Sequence, residues 1–174
     1  MPDQTSRATL SPDLPAEALS RPASHMLDLA LIGNGTVSAL IDARGAWVWA
    51  CVPRFDGDPF FCNLMSGVPV ADEAAQGLWA VDLAGFHQSE QTYERNSAVL
   101  RTVLTDDKGA KLEILDFCPR FRASDRQYRP VAFCRMIRPL SGSPRIRVRL
   151  RPMHMYGKEA APHAYGSNHI RFSS

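Results

Sequence analysis

Apolar positions along the chain come in short runs broken by turn residues, at a spacing near two and not near 3.6. The runs at 29–32 and 37–41 are separated by Gly33-Asn34-Gly35. Asp42-Ala43-Arg44-Gly45 then separates them from the run at 46–51. Gly, Asn and Asp suit tight reversals, so each break reads as a turn between strands. Further strands are predicted at 78–83, 86–95, 97–104, 111–117, 130–137 and 145–150. The polar run at 86–95 has the character of an edge strand, and the run at 97–104, apolar on both faces, that of a strand between two layers. Asp106-Asp107-Lys108-Gly109 reads as a hairpin turn. The runs at 130–137 and 145–150 read as a further pair joined by a Pro- and Gly-containing link. One short helix is predicted over 59–66, with Asp58 as cap, Pro59 in the first turn and Gly67 as terminator. The fold class expected is all-β, an antiparallel β-sandwich with one short helix.

The first 25 residues break the pattern. Pro2, Pro12, Pro15 and Pro22 lie among Ser, Thr, Asp, Ala and Arg, with no aromatic residue. Such a segment buries too little to offset its ordering entropy, so 1–25 is expected to be a disordered leader and 26–174 one β-sandwich domain. At the other end, residues 168–172 read as a strand just beginning, and the sandwich is expected to be incomplete.

Composition narrows the classes. Apolar residues make up 45% of the 174 and charged residues 22%, which is ordinary for a globular chain. No apolar run approaches the roughly 18 residues of a membrane span. The four cysteines show no C-x-x-C spacing, so a common zinc site is not supported, and the expected setting is cytoplasmic, because no secretory signal is legible and the thiols read as reduced. Cys51, Cys62, Cys118 and Cys134 each adjoin an apolar segment and are expected to be reduced core thiols. No cofactor or metal site is expected; His154, His163 and His169 are irregularly spaced and lie in loop-like surroundings.

Three groups are candidates for function. Trp47 and Trp49, two apart on a strand, are expected on one face, as core packing or as a sugar-stacking platform. Between that strand and the predicted helix, Arg54 and Asp56 sit in a proline-flanked turn. They either pair with each other or present a guanidinium and a carboxylate to a polyhydroxyl or anionic ligand. The third group lies in a basic stretch. Ten arginines against Asp125 give residues 120–151 a net +9 in a chain of net +2. There Arg145, Arg147, Arg149 and Arg151 alternate with Ile146, Val148 and Leu150, which puts four guanidiniums on one strand face. A solvated face is the default reading, a docking face for an acidic partner the second, and nucleic-acid binding the last. The acid pairs Asp72/Glu73, Asp106/Asp107 and Glu113/Asp116 offer no credible general acid and base for glycoside cleavage.

Several segments together resemble a known family. These are Leu31-Ile32-Gly33-Asn34-Gly35, Ala39-Leu40-Ile41-Asp42, Gly45, Trp49, Cys51 and Pro53-Arg54-Phe55-Asp56. They are followed in order by Tyr93 with residues 96–102, by residues 115–120, by Leu150-Arg151-Pro152 and by Tyr156-Gly157. They look like the trehalase-like N-terminal domain of bacterial glycoside hydrolase family 15, the glucoamylase and trehalase family. Met155 departs from the pattern, where an acid is expected. The resemblance implies a large β-sandwich that packs on an (α/α)6 barrel of the same polypeptide. That barrel, absent from these 174 residues, would hold the two catalytic glutamates of an inverting α-glucoside hydrolase. The implied role is therefore non-catalytic, with the barrel as partner and the α-glucoside reached through it. Arg54, Asp56 and Trp49 become candidates for the substrate rim or domain interface, and Arg145, Arg147 and Arg149 for docking. The alternative is a free-standing carbohydrate-binding or protein-interaction module.

Overall fold

A computed structural model describes residues 28–173. The leader read at 1–25 lies outside the described residues. From the N-terminal side the strands are β1 (Ala30–Gly33), β2 (Ser38–Ile41), β3 (Trp47–Cys51), β4 (Pro59–Phe61), β5 (Leu78–Leu83) and β6 (Phe86–Tyr93). Then come β7 (Leu100–Asp106), β8 (Lys111–Phe117), β9 (Phe121–Ala123), β10 (Arg126–Tyr128), β11 (Cys134–Ser141) and β12 (Ile146–Arg151). Four short strands follow: β13 (Met153–His154), β14 (Glu159–Ala160), β15 (His163–Tyr165) and β16 (Ile170–Phe172). All pairings are antiparallel, as the period-two pattern requires.

Two sheets dominate. One has the order β1-β2-β3-β5-β12, with β4 also on β3; the other has the order β11-β8-β7-β6. Each core between them draws on both. Ile32, Ile41, Trp47 and Phe61 of the first sheet meet Leu100 of the second and Cys118 just beyond it. At the other end Val81 and Leu83 meet Leu104, Leu112 and Ile114. A third cluster lies on the outer face of the first sheet. There Ala46, Val48, Leu78 and Ala80 are covered by Leu64, Val68, Val70 and Ala75. All four cysteines are free thiols; three are buried and Cys134 is half-buried. Burial pushes the Cys118 thiol up to about 12, which keeps it protonated and inert.

Arg135 bolts the two sheets together. It grips Asp116 through both guanidinium edges, at 2.7 and 2.9 Å, and neither side chain is exposed. It also donates to the carbonyls of Trp79 and Gly45, and its guanidinium lies 5.1 and 4.9 Å from the Trp47 and Trp79 rings. A charge pair this deeply desolvated depends on such complete satisfaction of its donors.

Three expectations need correction. Residues 59–66 do not form a helix; Pro59–Phe61 is a strand on β3 and only Asn63–Met65 makes a single 3-10 turn. The backbone donors of Cys62 and Asn63 both go to the Gly77 carbonyl, so the chain is held by a cross-connection. Gly77 is itself required there: its φ is +66°, and a Cβ would lie 2.7 Å from the Cys62 sulfur. Second, β11 and β12 do not pair with each other. β11 joins β8 and β12 joins β5, so the 142–145 link crosses from one sheet to the other. Third, a bulge on β3 sets Trp47 opposite Ile41 and Trp49 opposite Leu40. Successive positions on β2 face opposite ways, so the two tryptophans fall on opposite faces.

Candidate functional site

The 52–58 loop leaves β3 through Pro53 and returns into β4. Gly57 N–H donates to the Arg54 carbonyl at 3.1 Å, which closes the turn beneath the two charged side chains. Arg54 and Asp56 form a two-edged pair, Nε to Oδ1 at 2.8 Å and Nη2 to Oδ2 at 2.7 Å. The geometry is planar and orienting, because a guanidinium fork matches a carboxylate. Both groups remain open to solvent, at 76% and 54% of side-chain surface, and Phe55 between them is 69% exposed. The Arg54 hydrogen bond holds the Asp56 carboxyl below its ordinary range. The arrangement thus displays a fixed acceptor, a fixed cation and an apolar ring on one turn.

Asp58 ties this loop to a distant segment. Expected as a helix cap, it instead accepts from the backbone N–H of Met155 at 2.6 Å and of Tyr156 at 2.7 Å. Those residues have φ of 49° and 56°, a left-handed conformation that a carboxylate gathering successive amides stabilises. Met155 and Tyr156 are exposed beside it.

Asn34, read in sequence as the middle of a turn and as part of a segment of the family resemblance, is a second tie. It is 2% exposed, and its amide nitrogen donates to the carbonyls of Pro119 at 2.9 Å and Pro130 at 2.8 Å. Its oxygen accepts from Thr36 and Val37 N–H. No local signal marks such a clamp; only the rarity of a fully buried Asn hints at it once burial is known. The Tyr93 hydroxyl likewise accepts from Leu31 N–H and donates to the Leu31 carbonyl, at 2.9 and 2.8 Å.

Trp49 is half-buried, and no hydrogen bond or ring contact links it to Arg54 or Asp56 among the described residues. Trp47 has no exposure and packs against Phe61, Trp79 and Phe133. The pair therefore makes no stacking platform.

The β12 arginines do share one face, and every one of them on it is engaged by an acid of the same chain. Arg149, 3% exposed, meets Asp82 at 2.6 and 2.8 Å and donates to the Val70 and Asp72 carbonyls. Arg147 pairs with Glu73 and Asp82, and Arg151 with Glu73. Burial raises the Asp82 carboxyl, and the hydrogen bonds and charge of Arg149 and Arg147 outweigh it, so the net direction is down. Arg149 is covered by the 68–76 loop and leaves no free docking face there, whereas Arg147 keeps 56% of its side chain open to solvent while paired with Glu73 and Asp82. Arg145, at the end before β12, is exposed.

The acid pairs serve the fold. Glu113 and Asp116 are three apart on a strand and so face opposite ways. Asp116 meets Arg135, while Glu113 meets Arg101 at 2.6 Å and also Arg138. Asp106 accepts from Lys108 and Ala110 N–H within its hairpin turn. Among the described residues no group of three or more His, Cys, Asp or Glu stands together as a metal site. No helix among them is long and apolar enough to cross a membrane. Compared with protein-family models, with curated proteins and with solved structures, the chain gives no match.

Proposed function

We propose that the chain is the non-catalytic N-terminal β-sandwich domain of an inverting α-glucoside hydrolase of the glucoamylase and trehalase type. On this reading the 52–58 loop faces the catalytic barrel or the rim of its active site. The observation that carries the reading is that separate segments of the family resemblance meet in pairs. Asp58, which follows Pro53-Arg54-Phe55-Asp56, holds Tyr156 of Tyr156-Gly157 and also Met155, the position that departs from the pattern. Asn34 of Gly33-Asn34-Gly35 holds Pro119, and Tyr93 holds Leu31. A set of motifs that brace one another over long sequence separations is what a shared domain architecture requires. The exposed Arg54–Asp56 pair then supplies an oriented guanidinium and carboxylate for a neighbouring surface or a sugar hydroxyl. Chemistry belongs to the barrel, where one glutamate would activate water and another protonate the leaving oxygen.

The test uses the gene product that includes any coding sequence after Ser174. The expected product continues into a long helical segment and releases glucose from maltose or trehalose. Arg54→Ala and Asp56→Asn are each expected to lower its turnover roughly tenfold or more, about 1.4 kcal/mol. The 174-residue chain alone is expected to release none. Glucose release by that chain, abolished on replacing one of its own acids, would overturn the reading. So would a stop codon directly after Ser174, or full activity in both loop variants.

A further inference from the structure

The basic stretch that begins at Arg120 does not behave uniformly. Arg135, Arg138, Arg147, Arg149 and Arg151 each meet a carboxylate. Arg120, Arg122, Arg126 and Arg129, on and beside the β9–β10 hairpin, meet none among the described residues; nor does Arg95 on the β6–β7 turn. All of residues 121–130 are exposed.

Two of these cations compete for one neutral group. With its oxygen turned to Arg120, the Gln127 amide accepts from Nε at 2.5 Å and Nη2 at 3.0 Å. Its other end lies 3.3 Å from Arg129 Nη2. A carboxamide has one acceptor atom, so it cannot serve both guanidiniums, whereas a carboxylate has two. Register places Arg122 directly opposite Gln127, adding a third charge on the same hairpin face. On the other face Phe121 and Tyr128 stack at 5.4 Å and 14°, with 52% and 42% of their surfaces exposed. Beside the hairpin runs a cleft of about 930 Å³. Val99, Phe117, Pro119 and Phe121 give it apolar walls, and Arg95 and Arg120 stand in its lining against a single acid, Glu94, which lies 4.0 Å from Arg101.

We propose that the hairpin face and this cleft form a docking surface for an acidic segment of a partner protein. A carboxylate of that segment would seat between Arg120 and Arg129, and an apolar side chain would enter the cleft. The proposal is independent of the hydrolase reading. A polypeptide fits better than a nucleic acid for two reasons. Apolar walls match side chains and not phosphodiesters. The rest of the chain also carries a net −7, given +2 overall and +9 over residues 120–151, which opposes a long polyanion.

The test is fluorescence anisotropy of a labelled peptide of alternating glutamate and leucine with the full 174-residue chain. Expected is saturable binding at low salt that weakens steeply as salt rises. The double variant Arg120→Gln with Arg129→Gln is expected to lose roughly tenfold or more in affinity, about 1.4 kcal/mol. Lys158→Gln, an exposed cation elsewhere, is expected to change nothing. Circular dichroism and the thermal midpoint confirm that each variant is folded. No binding at low salt, or binding indifferent to the double variant, overturns the proposal. Tighter binding of a single-stranded oligonucleotide of equal charge would assign the face to a phosphate polymer instead.

Discussion

The arginines of strand β12 and those of the β9–β10 hairpin belong to one basic stretch, yet they have opposite fates. On β12 each guanidinium meets a carboxylate, Arg149 is buried under the 68–76 loop, and Arg149 and Arg151 also donate to backbone carbonyls of that loop, while Arg147 stays half open to solvent. On the hairpin they reach into solvent with one amide between two of them. The difference arises far away in sequence. Asp82, opposite Arg147 on β5, stands 67 residues from Arg149. The hairpin pairs only with itself, so no second element brings it an acid. Local charge density alone does not separate a structural arginine from one free to bind; the element packed against it does.

The largest effect that can sharpen this contrast is expected at Arg149. Arg149→Ala leaves Asp82 without its closest cation and strands the carbonyls of Val70 and Asp72 over the sheet. Asp82 is 32% exposed and keeps Arg147, so the loss falls below that of a fully buried pair, at about 2 kcal/mol. The expected result in urea or guanidinium unfolding is a midpoint well below that of the parent with an unchanged slope. Unchanged stability would mean that the 68–76 loop relaxes enough to hydrate the site, and the division between the two arginine groups would lose its energetic meaning.

How far the sequence reveals such a division depends on the residue. Alternation on 145–150 correctly sets the arginines on one strand face and Ile146 and Val148 on the other. What it cannot say is which face is covered, because the cover comes from a loop with no periodicity of its own. Ile146 and Val148, naively core residues, are 42% and 50% exposed at the open edge of the first sheet. The strand at 78–83, the edge strand at 86–95 and the hairpin at Asp106–Gly109 are legible because short-range pattern and turn chemistry decide them. Residues 59–66 mislead because Asp58-Pro59 imitates a helix start, while pairing of Pro59–Phe61 with β3 overrides local preference. The Trp47/Trp49 face is lost to one extra residue in a strand, which no count of alternating positions detects. At the candidate site, Arg54 and Asp56 were legible as a local pair. The ties through Asp58 and Asn34 were not, since their partners lie 97 and 85 residues on.

A second, smaller effect concerns acid. Burial raises the Glu113 carboxyl, but hydrogen bonds from Arg138 and Arg101 outweigh it and hold it below its ordinary value. For a carboxylate depressed in the folded state, the linked stability is present above the unfolded value near 4.3 and lost as pH falls through the folded one. Asp82 carries the same sign. Unfolding midpoints are therefore expected to hold steady from neutral pH to about 4.5 and to decline below about 4. In Glu113→Gln the decline should be shallower, because one group of the set no longer titrates. Removing hairpin cations should leave that slope alone, as none of them forms an ion pair with a carboxylate among the described residues. A hairpin variant that alters the acid limb would reveal an ion pair there and erase the contrast.

The smallest stability effect is expected where the exposed charge is greatest. Arg122 and Arg126 are exposed, lie on a two-stranded ribbon, and meet no carboxylate among the described residues. Surface replacements away from caps, cores and networks stay within about 0.5 kcal/mol. Here like-charge repulsion among Arg120, Arg122 and Arg129 even favours removal of one of them. Arg122→Ala and Arg126→Ala are therefore expected to leave the midpoint unchanged or slightly raised, most visibly at low salt, where screening is weakest. The double variant should be close to the sum of the singles, since register places the two side chains on opposite faces of the ribbon. A loss of more than about 1 kcal/mol in either single variant would show that the guanidinium already has a partner in the free chain. The hairpin would then join β12 as a braced element and cease to be a surface open to a ligand.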